Sequence, residues 1–368
     1  MTDGFRPAPS LAGGSARPPA VEYDVALLDL DGVVYVGPHA VPGVPAALAA
    51  ARAAGMRLGF VTNNAARTPD TVSEHLAELG VPAGPADVIT SSQAAASVVA
   101  ALFGTGAPVL PVGGPGVTAA LGAAGLRVVD GAAGRPVAVV QGYGPEVGWA
   151  QLAEAVVAVR DGARHVATNT DATIPSPRGP LPGNGAMVDV VSRVTGRPPL
   201  VTGKPDPAMH EECVRRTGAA RPLVVGDRLD TDIEGARRAD AASLLVFTGV
   251  TDPAALLAAG PRHRPDLIAP ACAGLLVAHP AVVADGGGWR CGGWTVGPAE
   301  GADALVLSAG EAADPDGAGG PDGLDGLRAL CVAHWARHPD GGAPPRISAA
   351  DDRAAAVLGG WDLLDAGR

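Results

Sequence analysis

Basic charge is scarce in this 368-residue chain. Lys and Arg number 27 against 38 Asp and Glu, a formal net charge of −11, and no basic run or arm offsets it. Nucleic-acid affinity comes largely from neutralised phosphates, so no nucleic-acid partner is expected. A small phosphorylated ligand remains compatible, provided its site is locally positive. Cysteine is scarce as well: Cys213, Cys272, Cys291 and Cys331 lie far apart and form no Cys-x-x-Cys pair. A disulfide framework is not expected in a chain of this size, and a reducing, cytoplasmic compartment fits. No apolar run approaches the ~18 residues of a membrane span, so no membrane partner is expected. The opening stretch "MTDGFRPAPSLAGGSARPPA" lacks the apolar segment of a signal peptide. It is rich in Pro, Gly and Ala, and residues 1–20 read as a flexible tail.

What is present is an alternation of strand and helix. "VALLDL" and "MRLGFVTNN" read as buried strands of a parallel sheet, and "VPGVPAALAAARAAG" and "TPDTVSEHLAELG" as helices. Thr68 is placed to cap the second helix, with Pro69 at its first position and Gly80 at its end. Strand–helix units in series imply a right-handed parallel sheet. Residues 103–198 keep the rhythm with longer loops, among them "TDATIPSPRGPLPGNG", 170–185. A loop that long inside a compact domain is usually functional. Alternation resumes from 199 with "DPAMHEECVRRTG", "RPLVVGD", "TDIEGARRAD" and "ASLLVFTG". Past 278 the texture changes. "GGGWRCGGWTVG" and "DALVLSAG" suggest strands, "AADPDGAGGPDG" a linker, and "LDGLRALCVAHWARH" a helix with apolar spacing at Leu327, Leu330, Cys331 and Trp335. A separate small α+β domain is expected over 279–368, dispensable for the chemistry encoded before it.

Four short elements stand at strand ends or helix starts: Asp29-x-Asp31-Gly32, Thr62-Asn63-Asn64, Gly203-Lys204-Pro205 and Gly226-Asp227-x-x-x-x-Asp232. In open α/β sheets, ligands bind beyond the carboxyl ends of the strands, so elements spread over the chain can converge. Their chemistry is consistent. One carboxylate can act as nucleophile, and a second, two residues on, as proton donor and then base. Several carboxylates at one place need a cation, and Mg²⁺ prefers oxygen ligands. Lys204 adds positive charge, and Thr62 with the amides after it offers donors to an anion. Together they describe phosphoryl transfer to an aspartate followed by hydrolysis.

In this order, "DLDGVVYVG", "FVTNNAARTP", "GNGAMVDVVSRVTGRPPLVTGKPDP" and "VVGDRLDTDIEGA" resemble the haloacid dehalogenase (HAD) superfamily of phosphatases, subclass IIA. That branch includes p-nitrophenyl phosphatase-like, phosphoglycolate and glycerol-3-phosphate phosphatases. The resemblance implies a Rossmann-like, doubly wound parallel sheet with a core over 21–102 and 199–278. It also implies an inserted, mobile α/β cap of the C2 type over 103–198. Asp29 would attack phosphorus, and Asp31 would serve as general acid/base, its main-chain carbonyl also meeting Mg²⁺. Thr62 and Asn63 would hold the phosphoryl oxygens with Asn64 close by, and Lys204 would steady their charge. Asp29 and Asp227 would also bind the metal, and Asp232 would support its shell. Residues near Asp171 to Gly185 would reach toward the substrate. Residues 279–368 resemble the acetyltransferase-like appendage of some glycerol-phosphate phosphatases, for which a regulatory or assembly role is expected. A homo-oligomer stays open.

Other readings of single motifs are weaker. An EF-hand would need an oxygen ligand at Val33 and Glu at Ala40. "VGGPGVTAA" mimics a dinucleotide fingerprint through Gly114, Gly116 and Ala119, but no suitably placed acidic residue follows, so a turn in the cap explains it. Gly203-Lys204 is not a P-loop, because Pro205 follows and no Gly sits five residues before Gly203. Cys331, His334 and His338 share one helix at spacings that suit zinc, yet such residues are more often core and surface. The expected activity is Mg²⁺-dependent hydrolysis of a small phosphate monoester. Glycerol 3-phosphate is the first choice, with 2-phosphoglycolate and nucleoside monophosphates as alternatives. A non-catalytic HAD-fold binding protein is the contrasting class. The cap loop offers Asp171, Thr173 and Ser176 to a polyol and no aromatic for a base to stack on, although Tyr35 or Trp149 lies elsewhere in the chain.

Overall fold

The computed structural model describes residues 10–174, 176, 178–300, 303–310 and 322–364. It divides into two compact units, Met1–Leu58 with Ala220–Arg368, and Gly59–Ala219. No helix among the described residues is long and apolar enough to cross a membrane.

In the first unit, strands Leu267–Ala269, Ala242–Val246, Pro222–Gly226 and Val25–Asp29 lie side by side in that order, all parallel. Apart from the half-buried Val224, their Leu, Val and Ile side chains are buried, as expected of strands covered on both faces. Register places Leu28 opposite Val225, so Asp29 and Asp227 leave the sheet at the same edge. The segment "TDIEGARRAD" begins with a wide π turn, Leu229–Ile233, that carries Asp232, and continues as helix Glu234–Arg238.

A second sheet follows in the same unit. Val283–Asp285, Gly288–Cys291, Trp294–Pro298 and Ala304–Ala309 are antiparallel neighbours, and Arg346–Ala349 pairs parallel to the last of them. Arg346–Ala349 and helix Asp352–Gly360 carried no clear signal in sequence. Helix Asp325–Arg337 is buried on every side from Asp325 to Trp335, not along one stripe. It packs against strands Gly288–Cys291 and Trp294–Pro298 and against helix Pro253–Leu257. One apolar cluster therefore joins Leu245, Leu257 and Ile268 to Trp294, Leu327, Leu330 and Trp335. Trp335 Nε1 donates to Leu257 O at 3.1 Å, and Arg328 Nη2 to Ile268 O at 2.7 Å. The segment beyond 278 is therefore not separate in packing: most of the buried residues of this cluster, from Val282 to Leu358, lie there. The linker expected at 312–323 lies mostly outside the described residues.

The flexible tail expected over 1–20 also needs correction. Residues 1–9 lie outside the described residues, but Leu11 is buried in the same cluster. Ser15 pairs with His279 through both main-chain groups, at 2.8 and 3.1 Å. Apolar burial and strand-like pairing hold this stretch despite its composition.

In the second unit, Phe60, Val61 and Thr62 pair parallel with Val88–Thr90. Thr68 caps helix Pro69–Glu78, its hydroxyl accepting from Thr71 N at 3.3 Å. A five-stranded parallel sheet has the order Leu200–Val201, Arg164–Ala167, Ala138–Gln141, Pro108–Val112, Arg127–Val128. The chain starts on the fourth of these strands and winds both ways, the flavodoxin-like order. Helix Ser91–Phe103 packs on helices Pro115–Ala123 and Pro207–Thr217. Its Ala95, Ala96 and Val99 share a core with Val109, Val117, Val140 and Val166. The compact unit is accordingly wider than the 103–198 segment expected of a cap.

The dinucleotide-like glycines have a packing role. A Cβ at Gly116 would stand 2.5 Å from the carbonyls of Ala65 and Arg67, and one at Gly114 within 2.9 Å of Ala66. Their bare backbones let the start of helix Pro115–Ala123 seat against residues 65–67.

Candidate active site

Carboxylate oxygens of Asp29, Asp227 and Asp232 lie within 4.8 Å of one another, a grouping found once among the described residues. Asp227 and Asp232 are 1% exposed, and Asp29 is half-buried at the end of its strand. Glycines make this closeness sterically feasible. A Cβ on Gly32 would stand 2.5 Å from Asp227 Oδ2, and Cβ atoms on Gly249 and Gly226 would overlap Asp227 and Asp232. Main-chain donors orient the side chains: Val250 N donates to Asp227 Oδ2 at 2.8 Å, and Arg228 N to Asp232 Oδ2 at 3.2 Å. Thr251 N and Thr248 tie the same loops, donating to Asp227 O and Gly32 O respectively. Three converging carboxylates repel unless a cation joins them, and an all-oxygen set of this size fits a hard divalent ion such as Mg²⁺.

Asp31 stands outside this triad. It is exposed, in a tight turn where Gly32 adopts φ +87° and the amides of Val33, Val34 and Tyr35 converge on Leu30 O. An exposed carboxylate two residues from the cluster suits proton exchange with a substrate oxygen and water.

Thr62, Asn63, Asn64 and Lys204 belong to the second unit. Thr62 is buried, and its hydroxyl accepts from Asn64 N at 3.0 Å, keeping its own proton to donate. Asn64 Oδ1 accepts from Ala66 N at 2.9 Å, so two of the amides after Thr62 are spent on the turn itself. The side chain of Asn63 is spent on Lys204: Oδ1 accepts from Lys204 N at 2.9 Å, and Nδ2 donates to Lys204 O at 3.2 Å. Nδ2 also approaches Asp171 Oδ2 at 3.4 Å. Beside Lys204, burial pushes the Cys213 thiol up to about 12, so it is inert at neutral pH. The Ser176 hydroxyl is engaged within its own loop, donating to Gly179 O at 2.7 Å and accepting from Arg178 N at 3.1 Å. Pro175 and Pro177 of the same loop lie outside the described residues.

Residues missed in sequence surround this group. Asn169, Asn184, Gln141 and His165 are all buried. The Asn-x-Asp and Gly-Asn-Gly of the long loop were visible, but nothing in their spacing showed where the amides point. The zinc reading on helix Asp325–Arg337 gains no support: Cys331 is fully buried with its thiol pushed up by desolvation, and it joins no metal-ligand group among the described residues.

Comparison with known proteins is consistent along the whole chain. Residues 26–127 match the haloacid dehalogenase-like hydrolase family, 201–275 a second HAD-hydrolase-like family, and 291–363 a GCN5-related N-acetyltransferase-like domain. A D-glycerol 3-phosphate phosphatase of Mycobacterium tuberculosis is 43% identical over 350 residues, 94% of this chain and 96% of that protein. An acid sugar phosphatase of Staphylococcus aureus is 37% identical over 232 residues, 62% of this chain and 88% of that protein. The crystal structure of the glycerol phosphate phosphatase from M. tuberculosis in complex with magnesium superposes with a TM-score of 0.82 at 41% identity, covering 95% of this chain and 99% of that one. A p-nitrophenyl phosphatase from Archaeoglobus fulgidus has a TM-score of 0.64 at 28% identity, covering 69% and 98%. With its aspartates gathered at the carboxyl edge of a parallel sheet and a full-length relative of this identity, the chain belongs to the haloacid dehalogenase-like hydrolases.

Proposed function

We propose that the protein is a Mg²⁺-dependent phosphatase that hydrolyses glycerol 3-phosphate to glycerol and phosphate through an aspartyl-phosphate. The observation that carries this reading is the Asp29, Asp227 and Asp232 cluster. When bound there, Mg²⁺ supplies positive charge that draws in the ester and neutralises its oxygens. A carboxylate oxygen of Asp29 forms a bond to phosphorus as the glycerol oxygen leaves, and that oxygen takes a proton from Asp31. Asp31, now a carboxylate, removes a proton from water as the water oxygen attacks the same phosphorus. The acyl phosphate breaks, Asp29 is regenerated, and phosphate departs. Thr62 donates its hydroxyl proton to a phosphoryl oxygen, and Lys204 balances the negative charge shared by Asp29 and the phosphoryl group.

Relatives support the substrate, and so does the loop at 170–185. Asp171 and Thr173 offer hydroxyl partners, and no aromatic residue there can stack a base. Further parts of the proposal are residues 103–198 as a cap that closes over substrate, 279–368 as a regulatory or assembly element, and cytoplasmic action without a nucleic-acid partner. The test is kcat/KM for glycerol 3-phosphate, 2-phosphoglycolate and UMP, with saturating Mg²⁺ and after chelation. Glycerol 3-phosphate should lead, and chelation should abolish turnover. A preference for UMP would overturn the substrate, and full turnover without metal would overturn the mechanism.

A further inference from the structure

Lys204 sits three residues beyond strand Leu200–Val201, in a loop. Its ammonium ends a flexible four-carbon stem, so it can be placed no better than its own main chain. The structure holds that main chain through a series of asparagines. Asn63 grips both polar groups of Lys204, accepting from N at 2.9 Å and donating to O at 3.2 Å. The main-chain carbonyl of Asn63 is held in turn by Asn169 Nδ2 at 2.7 Å and Ser91 Oγ at 2.7 Å, which uses both of its lone pairs. The main-chain carbonyl of Asn169 accepts from Asn184 Nδ2 at 2.8 Å, and the same amide reaches Gln141 O at 3.3 Å. Asn169 Oδ1 accepts from Asp171 N at 3.2 Å.

Asn169 and Asn184 are 3% and 2% exposed, so neither owes its identity to water. Asn184 opens helix Asn184–Thr195, a rigid anchor for the series. Its flanking glycines allow the approach: a Cβ on Gly183 or Gly185 would overlap Asp171 O or Thr170 O. Gly203 plays the same part at the other end, packed on Thr168 O and on Asn63 Oδ1. A carboxylate could not replace these amides, because it accepts but does not donate. Amides also add no charge beside a catalytic lysine.

We propose that Asn169 and Asn184 are positioning residues for the phosphatase reaction, acting through Asn63 to fix the main chain from which Lys204 reaches the phosphoryl group. This rests on the role given to Lys204 above. It extends that role to side chains that touch no substrate atom.

The decisive variant is Asn169→Asp, which has nearly the same shape and keeps the acceptor for Asp171 N, but cannot donate to Asn63 O. With p-nitrophenyl phosphate and saturating Mg²⁺, kcat should fall by roughly 10- to 100-fold, the scale of a displaced catalytic group, while KM changes by less than about threefold. Asn184→Ala should fall less, being one link further away. Both substitutions are repeated in a Lys204→Ala background. If the asparagines act through Lys204, neither should lower kcat further there. An equal loss in both backgrounds, or a folded Asn169→Asp enzyme with wild-type kcat, would overturn the proposal. If Asn169→Asp does not fold, Asn184→Ala carries the same comparison. A Lys204→Ala enzyme with undiminished kcat would instead overturn the role of Lys204 in the proposed mechanism.

Discussion

The two compact units bury polar groups of different kinds. Among the described residues, the first buries Asp227, Asp232, Asp266, Asp325 and Arg328. The second buries Gln93, Gln141, His165, Asn169 and Asn184, with Glu212 as its one buried charge. Even that exception is compensated. Burial alone would raise the Glu212 pKa, but Arg215 and Arg216 hold it below the ordinary carboxylate range. Buried charge is tolerated only with a counter-charge or a metal. Charge is therefore concentrated where a cation belongs, around Arg328, and at Asp266, which pairs with Arg237 at 2.9 Å. Amides satisfy the main chain at both ends without changing the local field. That suits the role proposed above for this unit, holding the loop that carries Lys204.

The strongest way to break this comparison is to remove one charge from the first unit. Asn at position 29 keeps the shape of Asp29 but is no nucleophile toward phosphorus. Asp29→Asn should lower kcat by on the order of 10⁴ or more, with circular dichroism and thermal midpoint close to wild type. Activity above about one per cent of wild type would mean that no aspartyl-phosphate lies on the path.

A smaller effect probes buried charge away from chemistry. Arg328 is 1% exposed and pairs with Asp322 and with Asp325, the latter at 3.0 Å. It also meets His279 Nδ1 at 3.2 Å and Ile268 O at 2.7 Å, tying the second sheet's helix to the first sheet. Burial would raise both carboxyls. Arg328 brings Asp322 below its usual range, while desolvation still leaves Asp325 above it. Arg328→Met strands two carboxylates and should cost about 3–5 kcal/mol, read as a loss of stability in urea. Adding Asp322→Asn and Asp325→Asn should recover part of that loss. A cost below about 1 kcal/mol would show that these charges are solvated, and the contrast between units would fail.

What the sequence revealed follows the same division. Asp29 and Asp227 were legible because a carboxylate after an aliphatic run is costly unless it has a task, and the cost is visible in one dimension; Asp232 follows no such run and was named through the family resemblance. Thr68 and Pro69 were legible because a helix cap is local. Asn169 and Asn184 were not, because an amide in a loop carries no signal of whether it serves a turn, the solvent or a distant carbonyl. The sequence also did not show that the side chain of Asn63 holds the main chain of Lys204. Gly114 and Gly116 imitated a phosphate cradle because close packing of two backbones and close approach to a phosphate require the same missing Cβ. The tail looked separable because composition reports texture, not which faces share a core.

The smallest effect tests the neutrality of the second unit's interior. His165 is 2% exposed, and its Nε2 bonds Gln141 Oε1 at 2.9 Å. Nδ1 has no hydrogen-bond partner among the described residues. Protonation would place a charged N–H there without an acceptor, and burial lowers the pKa from 6.5 to about 4. The sign follows from proton counts. Between pH 6.5 and 4 the unfolded chain binds a proton at this ring that the folded chain does not. Stability from the neutral ring is therefore complete above pH 6.5 and is lost progressively as pH falls toward 4, by roughly 3 kcal/mol in all. Gln at this position can still donate to Gln141 and does not titrate. His210, His279 and His334 are also lowered by burial, so the wild-type curve alone cannot isolate His165. The difference between His165→Gln and wild type can. Urea unfolding from pH 7 to 4.5 should show the variant losing stability less steeply, by about 1.4 kcal/mol per pH unit at most. Parallel curves would mean that the ring accepts its proton in the folded state, and that this unit's interior is not the uncharged scaffold its amides imply.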